Sequence, residues 1–394
     1  MLNIIDDLLG IFHSNFGPFT CKVVHPVFYC LTKASRDLTT TAVLSDGELD
    51  ITEGRTMKVS LLRTVRQHAL QILARMTESC PEYRWHPYSA AIIKEIVEPR
   101  LEKFPIETAQ SVSGLLRLFA AWSKSPLTAP FLVEHNQAVL TKIIDCLEVS
   151  SAKDEVKKFV LDDILGNIIL LVSGDEDTAA PDDKFLRNRL HTDIIQPYSN
   201  AIISKVGALL RQSPSKEVLE SGVHLVASLA PHIVGSTESR SMIEIATFLL
   251  RQPSKRVSPR TKSALLKILH EFMQRHDSEG ILELFDNIFD AICPMFSFVQ
   301  DQTARNLLCD IVHDLSQTRD DLVATARLCQ DLNSFAKSRL DEPDFERRAS
   351  AFAKITEADY QTYSLVQWKP LVRRPTYEMN ARQTLTLYPH LLGL

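Results

Sequence analysis

Seven amphipathic segments, each about twenty residues long, recur along this chain, and recurrence on that scale leaves few folds open. They start at Arg66 (RQHALQILARMTESC), Glu107 (ETAQSVSGLLRLFAAW), Glu155 (EVKKFVLDDILGNIILL), Glu217 (EVLESGVHLVASLA), Arg260 (RTKSALLKILHEFM), Thr303 (TARNLLCDIVHDL) and Arg348 (RASAFAKI). Successive starts lie 41, 48, 62, 43, 43 and 45 residues apart. Each segment carries an apolar stripe on one side only. A helix of that kind cannot bury its stripe alone, so neighbours must stack to close a core.

The spacing falls mostly at the period of about 40–47 residues characteristic of stacked helix pairs, with the 62-residue interval marking an insertion. The expected class is therefore all-α, an α-solenoid of HEAT/armadillo-like helical repeats, with a compact helical bundle as the alternative. Composition agrees: 45% hydrophobic residues, 24% charged residues, and 12 glycines against 19 prolines suit a folded, helix-rich chain. A globular chain of 394 residues would split into separate cores, whereas a solenoid adds units along one axis, so no internal boundary is expected.

The apolar pattern predicts helices over 2–13, 21–37, 55–78, 88–103, 106–123, 131–147, 154–172, 184–211, 216–233, 239–251, 259–276, 280–298, 302–317, 319–339 and 344–368. Pro81, Pro87, Pro99, Pro105, Pro126 and Pro130 mark the joints, with Pro99 alternatively kinking one continuous helix. Three regions follow: N-terminal helices over 1–54, the repeat region over 55–372, and a non-repeat tail over 373–394 where the helical stripe vanishes. The tail has no polar capping unit, which makes it either disordered or the edge of something longer. The segment SGDEDTAAPDD, Ser173 to Asp183, holds five acidic residues and no basic one, and reads as a solubilising loop inside the stretched interval, with an acidic docking site for a basic partner as the alternative.

The net charge of −5 supplies no global attraction for nucleic acid, so any such contact must come from a local patch. One patch stands out. The run RQPSKRVSPRTK gathers Arg251, Lys255, Arg256, Arg260 and Lys262 without an acid, in a loop between repeats. Five cations there are a candidate grip on a phosphate backbone, independent of base sequence and weakened by salt; the alternative is an ordinary solvated loop or a contact for an acidic protein. The same residues fit a nuclear-import signal, and they lack the interleaved aromatics of a base-stacking platform.

Chemistry is otherwise unsupported. The chain has no GxSxG elbow, phosphate-binding GxxxxGK[ST] loop, GxGxxG turn or HExxH helix, so no catalytic residue and no cofactor is assigned. His68, His224, His270 and His313 fall inside predicted repeat helices, and His25 and His86 precede prolines, so all read as surface or core-edge residues. Glu107, Glu155 and Glu217 stand near helix starts, where the helix dipole favours a carboxylate. The seven cysteines are scattered without a CxxC pair, which reads as reduced core thiols of an intracellular protein and gives no metal site. Met1 to His13 is apolar but carries Asp6 and Asp7 and lacks a basic start, unlike a signal peptide, and no stretch is long enough to span a membrane.

The run VRQHALQILARMTESCPEYRWHPYSAAIIKEIVEPRLEKFPIETAQSVSGLLRLFAAWSKSPLTAPFL (Val65 to Leu132), followed by SSAKDEVKKFVLDDILGNIILLV (Ser150 to Val172), resembles the "down-regulated in metastasis" (DRIM) region of the U3 small nucleolar RNA-associated protein 20 family. A weaker likeness extends to QWKPLV (Gln367 to Val372), beyond which RRPTYEMNARQTLTLYPHLLGL reads as non-homologous, as in a truncated or mis-spliced product. Family members are several times longer, so this chain reads as an internal segment. The resemblance implies a non-catalytic, nucleolar helical-repeat scaffold of the small-subunit processome, acting with the U3 snoRNP in pre-18S rRNA processing. Its implied partners are processome proteins together with pre-ribosomal RNA and U3 snoRNA, met directly or through proteins, with no membrane and no small-molecule substrate. The competing reading is a HEAT-repeat protein–protein adaptor, karyopherin-like or phosphatase-scaffold-like, without RNA contact. A hydrolase with a scattered active site is the third.

Overall fold

The computed structural model describes residues 1–45, 53–174, 181–233, 235–276, 278–297, 299, 301–336, 342–357 and 363–372. The fold is all-α. Among the described residues the β contact is a single isolated antiparallel bridge between Phe335 and Pro343. The chain divides into two compact units, Met1–Ile233 and Val234–Leu394. The uninterrupted series expected from the repeats is thus divided after the fourth segment, where Pro231 lies in a short 3₁₀ turn, Ala230–His232, and Ile233 leaves it extended.

The first unit comprises α1 (Leu2–Phe12), α2 (Thr20–Ser45), α3 (Glu53–Ser79), α4 (His86–Ile92), α5 (Phe104–Thr108), α6 (Gly114–Ser123), α7 (Phe131–Glu134), α8 (Ala138–Asp145), α9 (Asp154–Phe159), α10 (Asn167–Val172), α11 (Pro181–Leu190), α12 (Gln196–Gln212) and α13 (Lys216–Leu229). A π turn, Ile93–Val97, and a 3₁₀ stretch, Glu98–Lys103, join α4 to α5 without a break. Further π turns join α9 to α10 (Val160–Gly166) and α11 to α12 (His191–Ile195). Pro99 and Pro197 each follow a π turn closely. Their missing N–H groups and ring bulk are thereby absorbed within a continuous run, so Pro99 is not a joint.

The recurrent segments form one layer of this unit. α3 packs on α6, α6 and α13 both pack on the turn Val160–Gly166, and α13 also meets α9. The intervening helices form a second layer, in which α2 meets Ile93–Val97, the stretch Glu98–Lys103 and α5 meet α8, and α8 meets α12. Contacts of α2 with α3 and of α12 with α13 tie the layers together. The amphipathic stripe accounts for this arrangement: α13 buries Val218, Leu219, Val223, Leu225, Val226 and Leu229 and leaves His224 exposed. Gly222 sets the approach of α12 and α13, because a Cβ there would lie 2.7 Å from Leu210 Cδ2.

The Glu107 segment departs from expectation. Its first residues complete the preceding run, the backbone breaks over 109–113, and α6 starts afresh with Ser113 Oγ accepting from Leu116 N. The break lets a file of aromatic rings cross from α5 through α6 to α7. Phe104 and Phe119 centroids lie 5.8 Å apart, Phe119 and Trp122 5.6 Å, and Trp122 and Phe131 5.7 Å. Similarly, the predicted helix over 131–147 is two short helices, α7 and α8.

The second unit comprises α14 (Ser236–Leu250), α15 (Pro259–Arg275), α16 (Ser278–Ile292), α17 (Gln302–Thr318), α18 (Val323–Leu332), α19 (Phe345–Glu357) and α20 (Leu365–Val372). α15 and α17, which carry two of the recurrent segments, pack on each other; α14 packs on α15 and α16, α17 on α16 and α18, and α18 on α19 and α20. The starts of α15 and α17 are capped by Ser258, followed by Pro259 at the first helical position, and by Asp301. The predicted helix over 319–339 ends at Leu332, where the buried Asn333 turns its side chain back to Cys329 O (2.6 Å) and accepts from Arg305 Nη1 (2.6 Å). Residues 175–180 of the acidic loop and the whole tail over 373–394 lie outside the described residues.

Trp122 is 2% exposed at the middle of the aromatic file. Replacing it with alanine is expected to cost the first unit about 3–5 kcal/mol, read as a lower denaturant midpoint for the transition that loses this unit's near-ultraviolet signal.

Candidate nucleic-acid interface

The five cations singled out in the sequence occupy the turn between α14 and α15 and the first turns of α15, and burial sorts them into different kinds. Lys255 and Arg260 are exposed. Arg251 is exposed but committed locally, donating through Nη2 to Asn287 O (3.0 Å) and Asn287 Oδ1 (2.7 Å). Arg256 is half-buried, donates through Nη1 to Gln252 Oε1 (3.2 Å), and sets its guanidinium 5.9 Å from the Phe248 ring. Lys262 is only 6% exposed, and burial pushes its ammonium below the usual lysine range. The five-cation patch thus reduces to Lys255 and Arg260, with Arg251 reachable at its edge. Two positions of the run are spent on structure because α15 begins at Pro259 and its stripe takes in Thr261 and Lys262.

A concave region lies in the first unit, a groove of about 380 Å³ lined by Asp6, Arg75, Glu78, Arg117, Lys124 and Asp163, among others. Its cations are largely answered by its acids. Arg75 bonds the Asp6 carboxylate, and Lys124 Nζ lies 2.7 Å from Glu78 Oε1. Burial, and after it the neighbouring Asp162, hold the Asp163 carboxyl above the usual carboxylate range. Such balanced charge provides no net attraction for a phosphate backbone.

The histidines largely sit at helix surfaces and edges, as anticipated. His68 Nε2 lies 3.7 Å from Asp6 Oδ2, His270 Nδ1 lies 3.5 Å from Asp314 Oδ2, and His25 packs against Tyr88. Glu155 and Glu217 stand in the first turns of α9 and α13, whereas Glu107 lies near the end of its run and pairs with Arg100 at 2.7 Å. Among the cysteines, Cys146, Cys293, Cys309 and Cys329 are buried, Cys30 and Cys80 are half-buried, and Cys21 is exposed. Burial pushes the Cys146 thiol up to about 11, which keeps it an unreactive core group. Among the described residues, no helix is long and apolar enough to cross a membrane.

One constellation has no counterpart in the sequence reading: His86, Glu134 and His135 converge at the surface of the first unit. His86 and Glu134 stand 48 residues apart, one repeat length, and that coincidence of a histidine with a Glu-His pair one period later is the signal that would have found them. The His86 and His135 rings lie 4.8 Å apart and edge-on, His135 stacks on Phe131, and His86 Nε2 is 3.4 Å from Glu134 Oε1. Burial, reinforced by His86, holds His135 below the usual histidine range.

A family model described as "U3 small nucleolar RNA-associated protein 20, N-terminal" matches residues 1–387. The chain belongs to this family. The match runs from the first helices and continues through most of the tail, so the family likeness does not stop at Val372. The matching model is described as N-terminal in the family's proteins. Among its relatives, the U3 small nucleolar RNA-associated protein 20 of Schizosaccharomyces pombe is 25% identical over 94% of this chain and 14% of its own length. The protein of the same name from Saccharomyces cerevisiae is 25% identical over 98% of this chain and 15% of its own length. The chain therefore spans about one-seventh of the length of these relatives.

Two substitutions separate structural from available charge. Lys262→Met keeps the buried stem and removes the desolvated charge, so it is expected to raise the melting temperature at pH 7, while Lys255→Met leaves it unchanged. At Asp163 the fold disfavours the ionised form, a penalty present above the raised folded pKa and absent once the carboxyl is protonated. Because Asp163 is solvent-exposed, only a small rise in melting temperature is expected for Asp163→Asn at pH 7, the gain vanishing as the pH falls through the carboxylate range.

Proposed function

We propose that this chain acts as a non-catalytic helical-repeat scaffold in the small-subunit processome, supporting pre-18S rRNA processing and small ribosomal subunit biogenesis with the U3 snoRNP, in the nucleolus. The observation that carries the reading is the family match across residues 1–387, on a chain whose first unit stacks as two layers of helices. Both relatives are named for association with U3 small nucleolar RNA. Stacked repeats display long continuous surfaces on which many weak contacts add, a geometry suited to holding several macromolecules in register. Its partners in this reading are processome proteins, with pre-ribosomal RNA and U3 snoRNA met through them or through loops such as the one carrying Lys255 and Arg260.

Two exposed cations provide a small, salt-sensitive contribution to phosphate contact and no base specificity. Protein contacts therefore account for most of the chain's placement. The mostly internally paired groove in the first unit fits the same division, since its charges stabilise the fold more than they reach for ligand.

Affinity purification of the tagged chain, with bound RNA probed for U3 and ribosomal precursor before and after nuclease, is expected to recover both RNAs together with processome proteins. Retention of those proteins after nuclease supports placement by protein contact, and recovery of neither RNA nor those proteins would overturn the reading. In purified form, Lys255→Glu with Arg260→Glu is expected to weaken residual RNA binding and to lower the magnitude of its salt slope by about 2. An unchanged slope would remove the loop from the interface.

A further inference from the structure

We propose that His86, Glu134 and His135 form a binding site for a divalent transition ion, with zinc as the best match, that clips two successive repeats of the first unit together. One donor atom from each of the three side chains lies within 4.8 Å of the others. Bonds of about 2.0–2.1 Å arranged tetrahedrally place donor atoms roughly 3.3–3.4 Å apart, and His86 Nε2 to Glu134 Oε1 is already 3.4 Å. His86 and Glu134 are surface side chains, so rotation of these two is what would close the remaining gap.

The chemistry of the donor set selects the ion. Two imidazoles and one carboxylate suit zinc and its neighbours in the transition series, whereas calcium and magnesium require more oxygen ligands than this site holds. Three protein ligands leave a fourth position for water or for a side chain of a bound protein.

The surroundings orient the ligands as metal sites require. Ser89 is 1% exposed and donates its hydroxyl hydrogen to His86 O (3.0 Å). With that hydrogen committed, we assign its 2.9 Å contact with His135 Nε2 as the ring N–H donating to Ser89 Oγ, the tautomer that keeps its lone pair on Nδ1. Phe131 stacks on His135 with its centroid 5.9 Å away and meets His86 edge-on at 6.3 Å, which restrains both rings. Because α4 carries His86 and α7 carries Glu134, a shared ion would fasten helices that belong to neighbouring repeats.

The test is calorimetric titration of the metal-stripped full chain with zinc, alongside melting curves with and without the ion. One equivalent is expected to bind saturably and raise the melting temperature, with magnesium and calcium failing to compete. His86→Gln and Glu134→Gln, both at exposed positions, are expected to weaken binding about tenfold or more, whereas His224→Gln, on the exposed face of α13, leaves it unchanged. Absence of saturable binding, or an affinity that His86→Gln and Glu134→Gln do not alter, would overturn the proposal.

Discussion

Everything in this structure depends on one requirement: a helix with an apolar stripe on one side must find a neighbour to cover it. In the first unit the recurrent segments meet that requirement through one another, so the layer containing α3, α6 and α13 continues only as long as each helix is covered by the next. The second layer covers the other side of the same stripes. Stability is consequently spread along each unit, and a buried group such as Trp122 or Leu210 matters because it is shared between helices that cannot stand alone.

Polar groups buried in such a stack must be answered locally, and the second unit does this with arginine. Arg305 is 9% exposed yet reaches Val299 O, Phe296 O and Asn333 Oδ1, joining the approach to α17 with the end of α18. Arg348, the first residue of the last recurrent segment, donates to Ser334 O at 2.9 Å and lies over the Phe335 ring. These planar, multiply donating groups close irregular connections that backbone hydrogen bonding leaves open. The same logic explains the basic loop, where Arg251 and Arg256 serve the fold before they serve a ligand.

Most helices were legible in the sequence because their stripes exceed the noise of composition. α3, α15 and α17 lie within a residue or two of the ranges that periodicity predicts. The Glu107 segment misled because its apolar residues continue through 109–113, where the backbone turns so that Ser113 caps a new helix; periodicity reports which residues are buried and not whether the chain stays helical between them. At Pro99 the alternative reading of one continuous run holds, since a π turn accommodates a residue that by itself argues for a break. The candidate site was only half legible: clustering of charge in sequence identified the loop but not which cations reach solvent.

The all-helical class, the repeat length and the family are written in local patterns that need no coordinates: apolar periodicity, the spacing of segments, and runs of matching residues. The division into two units, the burial of Lys262, and the meeting of His86 with Glu134 and His135 emerge only when the helices pack. Those outcomes depend on how one helix is placed against another a full repeat away. That placement is set by the packing of many side chains together, which no single stretch of the chain encodes.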